Sequence, residues 1–554
     1  MRRLKILCYV VFGLYLPVAK ATFYFETLIT NGQVYRSPAN TVIGINDGVI
    51  SFLGKVTEAR AFINNNTEMI DVGGAAIYPG FIELHAHVFD NIMFSHSTCR
   101  VELDDGSIGL AECINQTKQW PNDRWALGYS EDLLSQSFPM AAPRDWLDHY
   151  FPERPVVVSK PHSSIVWLNS RAMDEVKITH HSAKPLGGRI LRDDNDRPNG
   201  VLIGSIAEKA LIKAVGSHPI VMPSLMERYQ SKIASFHRQG ITSLAEGGSL
   251  WRMGSIDFWN KMHETGQLEI RVSVRPRLSP FGGVNEQLSQ LEAIFRNDFG
   301  SSLIINQVKI SVDGQYHLGT ARLSSPYRTP AIKHETKGIF YFSPTELNTW
   351  LQRLQTLGYG AYVQAEGDAA VEATLYSIEN ARRFSEDQRF TLSDMHFIKP
   401  KMFDLLDKHN VSVSFTDLHN EAYLSREVKV DIPNSTAMKV TLAALLEKKI
   451  KPALSSVGFN DQVVTPLMRI SQSLQLGRYG FQDVHQAIDS YTIEPARALG
   501  IEAITGSIVL GKSADFAIVD QAISSLPISD IGNANILMTI FQGKTVYSRD
   551  STQG

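Results

Sequence analysis

Cysteine is scarce in this sequence, with 3 in 554 residues. That excludes a disulfide scaffold, which needs paired cysteines at high density. Neither charge is in excess: 54 Lys and Arg stand against 57 Asp and Glu, for a net charge of −3. A basic nucleic-acid surface is therefore not expected. No long apolar run occurs after the first twenty residues, so no later segment is expected to span a membrane. There is also no internal repeat, no P-loop, no GxGxxG after an apolar run and no GxSxG elbow. Nucleotide-dependent and serine-hydrolase chemistry lose their usual signatures. What remains is ordinary: 43% hydrophobic and 20% charged residues, the balance of a globular protein rather than a disordered or fibrous one. At about 150 residues per domain, the length suggests roughly three or four units, or one large barrel with accessories.

The N-terminus carries a pattern of its own. Arg2, Arg3 and Lys5 precede an apolar run from Ile6 to Ala19, and Ala19-Lys20-Ala21 forms a small-x-small site. This is the pattern of a cleaved secretory signal over residues 1–21, with an uncleaved anchor as the alternative. The run is shorter than the ~20 residues of a membrane span. Cleavage removes four basic residues (Arg2, Arg3, Lys5, Lys20) and takes the net charge from −3 to −7. It also removes Cys8 and leaves Cys99 and Cys113. In an exported chain these two either pair, closing a loop worth ~3 kcal/mol, or stay as two thiols. Periplasm and extracellular space are both open as destinations. Sequons at Asn65, Asn115 and Asn434 matter only where secretion passes through an endoplasmic reticulum.

From Phe23 to about Asp71, short alternating runs are broken by Asn31-Gly32 and Asp47-Gly48, dipeptides that fit tight hairpin turns. The C-terminal segments "GSIVLGKSADFAIVDQ" and "ILMTIFQGKTVYSRD" read the same way. One small sheet domain built from both ends, residues 22–79 with 495–554, is expected. Between them, residues 80–494 alternate apolar runs ("SLIINQVKISVDG", "GAYVQAEGD", "NVSVSFTD", "KPALSS") with amphipathic stretches ("SPTELNTWLQRLQTLG", "AAVEATLYSIENARR", "STAMKVTLAALLEKK"). Repeated strand–helix alternation implies an α/β barrel with a parallel sheet, whose polar strand ends share one mouth. Residues of about 100–225 fit the alternation poorly and read as an inserted subdomain.

The strongest local signal is "AAIYPGFIELHAHVFD". Residues i and i+2 of a strand share a face, so His85 and His87 point the same way and can grip one divalent cation; two surface histidines are the plainer alternative. "PGFIELHAHV" resembles the first-strand motif of the amidohydrolase superfamily, and "TIEPARALG…GSIVLGKSADFAIVD…GKTVY" is similar to its closing segment. "VKISVDGQYHLGTARLSSPY", "RPNGVLIGS" and "GITSLAEGG" resemble one branch, the third amidohydrolase family, which contains N-substituted formamide deformylases. The likeness runs in order along nearly the whole mature chain. It implies a distorted (β/α)8 TIM barrel, a β-sandwich from both termini and hydrolysis of an amide-like, non-peptide C–N bond in a small molecule by metal-activated water.

Carried over position by position, the resemblance implies His85 and His87 as metal ligands, with zinc as the ion. It also implies Lys309 as a lysine that can be carboxylated to N6-carboxylysine; an ordinary pair with Asp313 is the alternative. Three further positions depart from the family pattern. Gln364 stands where a histidine is usual, Asp394 replaces a second histidine, and Val457 occupies the place of the aspartate base, with Asp461 four residues on. His396, two residues past Asp394, shares its face if the segment stays extended. A single ion held by His85, His87, Lys309 and Asp394 is chemically reasonable. Because Val457 cannot accept a proton, Asp394, Glu366 and Glu246 become the candidate bases, each with a structural role as the plainer alternative. His162, His317 and His419 are candidates for substrate contact at the mouth. The rival to a remodelled enzyme is a lapsed barrel that binds a ligand or partner. Self-association into a homo-oligomer stays open.

Overall fold

The computed structural model describes residues 23–100, 121, 123–129, 142–159, 164–217, 222–248, 254–298, 300–330, 332, 334–384, 388–416, 437–456 and 464–549, with side chains of 94–100 left aside. The leader, the Cys99–Cys113 pairing, His162, His419, Val457 and Asp461 therefore lie outside the described residues or side chains. Among the described residues no helix is long and apolar enough to cross a membrane.

Two parallel sheets form the centre. The first runs in the order β1 (Phe81–Ala86), β2 (Ile241–Glu246), β3 (Arg271–Ser273) and β4 (Leu303–Ile304). The second runs β5 (Gln307–Ser311), β6 (Gly360–Gln364), β7 (Phe390–Ser393), β8 (Ser412–Phe415) and β9 (Ala453–Leu454). Their side chains are buried almost throughout, the polar residues among them, such as Glu83, Ser243, Gln307, Lys309 and Thr391, included. The two sheets meet at both flanks. Lys309 N donates to Pro276 O at 3.0 Å and Leu278 N to Lys309 O at 2.9 Å. On the other side Ser456, just past β9, donates from Oγ to Glu83 of β1 at 2.7 Å. All nine strands point the same way, so His85, Glu246, Gln364 and Asp394 arrive at one edge.

Helices cover the strands where the sequence starts them cleanly. In "SPTELNTWLQRLQTLG" the helix Pro344–Thr356 opens with Pro in its first turn and a capping box: Glu346 N donates to Ser343 Oγ at 3.2 Å and Ser343 N to Glu346 Oε2 at 2.8 Å. The stretch "AAVEATLYSIENARR" forms the helix Asp368–Arg382, with its last residue, Arg383, as the C-cap. Two expectations are corrected. "SLIINQVKISVDG" divides into β4 and β5, each paired in a different sheet. In "STAMKVTLAALLEKK" the helix is confined to Leu442–Glu447, because Thr441 caps it there and Met438–Lys439 pairs with Phe397–Ile398.

The chain ends build two further sheets. Thr27–Thr30, Thr41–Asn46, Val49–Lys55 and Glu68–Asp71 form one; Gln33–Val34 and Ala76–Pro79 join Phe516–Val519, Ile536–Phe541 and Lys544–Ser548 in the other. Ile43, Ile45, Ile70 and Ile77 from the N-terminal side share one apolar cluster with Phe516, Ile518 and Ile540. Asp47-Gly48 makes the expected hairpin, with φ of 49° and 71°. Asn31-Gly32 does not: it carries the chain from one sheet to the other. Arg271 ties the central strands to these sheets through a buried ion pair with Asp515 at 2.5 Å. Residues 98–204 supply a six-stranded sheet of their own, in the stretch that broke the strand–helix alternation.

Candidate active site

The side chains at the strand edge are layered by register. Lys309 lies beside Tyr362, and Ser311 beside Gln364; Gln364 neighbours Ser393, which neighbours Ser414. Period-2 alternation sends these residues to one face. His85 and His87 come from the end of β1, where backbone N–H of His85 donates to buried Glu83 at 3.0 Å. Their Nε2 atoms face each other at 3.0 Å. The Nδ1 atoms point away, His85 to Tyr362 Oη at 3.1 Å and His87 to Asp90 at 3.9 Å.

Gly247 explains how the histidines come so close to β2. A Cβ on Gly247 would lie 2.2 Å from His85 Cδ2 and 2.8 Å from His87 Nε2, and one on Gly248 would lie 2.6 Å from Lys309 Cγ. Gly248 has φ of 132°, a region open in practice only to glycine. The two glycines therefore bring the backbone against His85, His87 and Lys309 together, and sequence reasoning missed them. "LAEGG" at a strand end was the available signal.

The electrostatics suit ligands rather than charges. Burial first, then Lys309, hold His85 well below the usual imidazole range; burial also lowers His87, against the pull of Asp90. Both rings are neutral near pH 7, with lone pairs to offer. Burial pulls Lys309 down to about 7, with Asp394 opposing and Arg277 and Arg275 adding to the fall. A substantial fraction of Lys309 is then a neutral amine, the form that captures CO₂. Its alternative pairing with Asp313 is not what forms: Asp313 accepts from the backbone N–H groups of Glu366, Gly367 and Arg322 at 2.9, 2.9 and 2.7 Å.

The three candidate bases differ sharply. Glu246 is fully enclosed, accepts from Phe89 N at 2.9 Å, and is raised well above the carboxylate range by burial and then by Asp90. Glu366 accepts from Tyr316 N at 2.7 Å and Gln364 Nε2 at 3.1 Å, faces His396 at 3.4 Å, and is likewise pushed up by burial. Both are bonded in place by backbone N–H groups. Asp394 lies one residue beyond β7 with φ of 58° and accepts from Thr416 Oγ1 at 3.4 Å. That backbone turn, at a residue type that tolerates it, ends the extended register, so His396 lies toward Glu366 instead of Asp394. Gln364 is satisfied by Ser311 and Glu366 at 3.0 and 3.1 Å. His317 sits in the turn Tyr316–Leu318.

Two neutral imidazole nitrogens 3.0 Å apart, with His85 Nδ1 3.1 Å from Tyr362 Oη and His87 Nδ1 3.9 Å from Asp90, fit two ligands of one divalent ion. Nitrogens each ~2.0–2.1 Å from a shared ion span about 3 Å at near-right angles. Among the described residues no three His, Cys, Asp or Glu side chains gather into an ion-holding group. Asp394, the fourth member of the set expected from sequence, lies within the field of Lys309 and accepts from Thr416 Oγ1 at 3.4 Å. Tyr362, Arg275 and Arg277 also line the site and were missed. Tyr362 precedes Gln364 by two and so shares its face, and Arg275 and Arg277 carry the same period-2 signal in "VSVRPR".

Comparison with known proteins points the same way. Residues 68–547 match the family described as "Amidohydrolase family". The chain is 21% identical over 560 residues to the N-substituted formamide deformylase of Arthrobacter pascens, covering 95% of this chain and 98% of that one. Its fold is similar to an uncharacterized metal-dependent hydrolase from Pyrococcus horikoshii, with TM-score 0.64, 17% identity, and 91% and 99% of the two chains covered. It is also similar to an adenosine deaminase from Xanthomonas campestris with bound zinc, with TM-score 0.52, 12% identity, and 95% and 94% covered.

Proposed function

The chain belongs to the amidohydrolase family, and from that premise we propose that it is a metal-dependent hydrolase cleaving a non-peptide, amide-like C–N bond in a small molecule. The two central sheets are taken as one distorted (β/α)8 barrel, with the end sheets as a sandwich. The observation that carries the proposal is the convergence of neutral His85 and His87 with Lys309 on Gly247-Gly248. His85 and His87 would hold one divalent ion, zinc by preference, with Lys309 as its carbamate supplying oxygen. When bound, the ion supplies Lewis-acid polarisation of the scissile carbonyl and an acidified water.

The remaining work falls to the chain's own residues. Asp394 is the base of choice: Glu246 and Glu366 are enclosed, tied to backbone N–H groups and raised by burial, whereas Asp394 lies partly exposed at the mouth within the field of Lys309. Gln364 is held in the wall between Ser311 and Glu366. The buried pair of neutral imidazoles, with Nε2 atoms 3.0 Å apart, weighs against a lapsed barrel. Export through the 1–21 leader belongs to the same proposal and rests on that pattern alone.

Metal content of the purified protein tests this. About one equivalent of divalent metal, lost in His85→Ala/His87→Ala, is expected. Less than about a tenth of an equivalent in the native protein would overturn it. Mass analysis of the Lys309 peptide under carbamate-preserving conditions checks the third ligand.

A further inference from the structure

Tyr362 is buried at the heart of the site, yet neither the metal chemistry nor the proton transfer described above uses it. Four groups converge on it. Its Oη lies 3.1 Å from His85 Nδ1 and 3.0 Å from Ser414 Oγ. Its ring has the Arg275 guanidinium carbon 4.0 Å from the centroid and Lys309 Nζ at 4.6 Å. The His85 and Tyr362 rings meet edge-on, 5.6 Å apart and at 78°. One side chain thus touches β1, β5, β8 and the segment after β3. It stands on the same face as Lys309 and Gln364, one register step below the mouth.

We propose that Tyr362 is a positioning residue: its hydroxyl donates to Ser414 and accepts from His85 Nδ1–H, so that the His85 Nε2 lone pair is presented beside that of His87, while its ring face holds Lys309 in the same site. The inference rests on the proposed metal-dependent reading. A hydroxyl has one proton to give. Given to Ser414, it leaves an oxygen lone pair for His85, and the imidazole proton must then sit on Nδ1. Given to His85, it would force the imidazole proton to Nε2, the atom that faces His87, and block the ligand position. A second hydrogen bond from a metal-ligating imidazole fixes its tautomer and ring orientation, and removing such partners typically costs ~10–100-fold in metal affinity.

The experiment measures Zn²⁺ affinity of the metal-free, full-length protein by chelator competition, with the visible absorption of the Co²⁺-loaded protein as a spectroscopic signature. Tyr362→Phe removes only the hydroxyl and should weaken Zn²⁺ roughly 10–100-fold and change the Co²⁺ bands. Ser414→Ala, which releases the tyrosine proton towards His85, should weaken it in the same direction, and the double variant should lose less than the product of the two. Tyr359→Phe is the control. Its hydroxyl is equally buried and donates to Leu291 O at 2.7 Å away from the site, so a general packing loss would appear there too. Native-like affinity and Co²⁺ bands in Tyr362→Phe would overturn the role of Tyr362 while leaving the metal reading standing. Equal losses in Tyr362→Phe and Tyr359→Phe would also overturn it. Failure of the native protein to bind Zn²⁺ or Co²⁺ overturns both together.

Discussion

Gly247→Ala tests the geometry most directly. The added methyl would stand 2.2 Å from His85 Cδ2, 2.5 Å from His85 Nε2 and 2.8 Å from His87 Nε2. Carbon atoms in contact settle at about 3.5–4.0 Å, so the His85 ring must withdraw by more than about 1 Å. The backbone cannot yield instead, because Gly247 N is bonded to Ala86 O at 2.6 Å and fastens β2 to β1. Overpacking of this kind costs about 1–3 kcal/mol, and a displaced His85 ring presents its nitrogen away from the place where it meets His87. Zinc titration calorimetry on metal-free protein, with thermal melts alongside, reads both effects. The expected result is at least about tenfold weaker zinc binding together with a lowered melting temperature. Gly283→Ala serves as the reference, since the nearest atom to its added methyl is 3.9 Å away. If Gly247→Ala binds zinc and melts as the native protein does, His85 and His87 do not converge on this glycine and the reasoning fails.

Two further outcomes concern stability. Asp515→Ala leaves Arg271 buried without its partner, where the side chains of the pair are 2% and 0% exposed; a loss of about 3–5 kcal/mol is expected by urea denaturation, and a loss under about 1 kcal/mol would contradict it. His237 is pushed down to about 4 by burial, whereas an unfolded histidine takes its proton near 6.5. Between those values the unfolded chain binds a proton that the folded chain does not, so stability falls as pH drops from about 6.5 to about 4. His237→Gln, which keeps a donor for Glu269 O, should flatten that fall, seen as a smaller difference between urea midpoints at pH 7 and pH 5.

Much of this architecture is legible residue by residue. The run "FIELHA" that leads into His87 becomes β1, buried on both faces as strands of a covered parallel sheet are. Ser343 and Glu346 announce a helix start through local hydrogen bonds that need no tertiary partner. Asp47-Gly48 turns because those two residues accept positive φ. The misreadings share a different cause. Asn31-Gly32 offers the same dipeptide, but the strands it joins have better partners in separate sheets. "STAMKVTLAALLEKK" has helical periodicity throughout, yet Met438–Lys439 is drawn into pairing with Phe397–Ile398. In each case a distant pairing outweighs a local preference worth a few tenths of a kcal/mol per residue.

The site divides along the same line. Local pattern alone determines that His85 and His87 share a face and that Lys309 ends an apolar strand, because a strand's period is a property of its own backbone. How deeply each carboxylate is buried is decided only in the folded chain. Glu246, Glu366 and Asp394 are alike as carboxylic acids; the first two are enclosed and the third lies at the mouth. Asp394 leaves the extended register with φ of 58°, and Tyr362 reaches His85 across 277 positions of sequence. Ionisation and ligand geometry depend on dielectric and distance, and both are set by residues that sequence neighbours do not reveal.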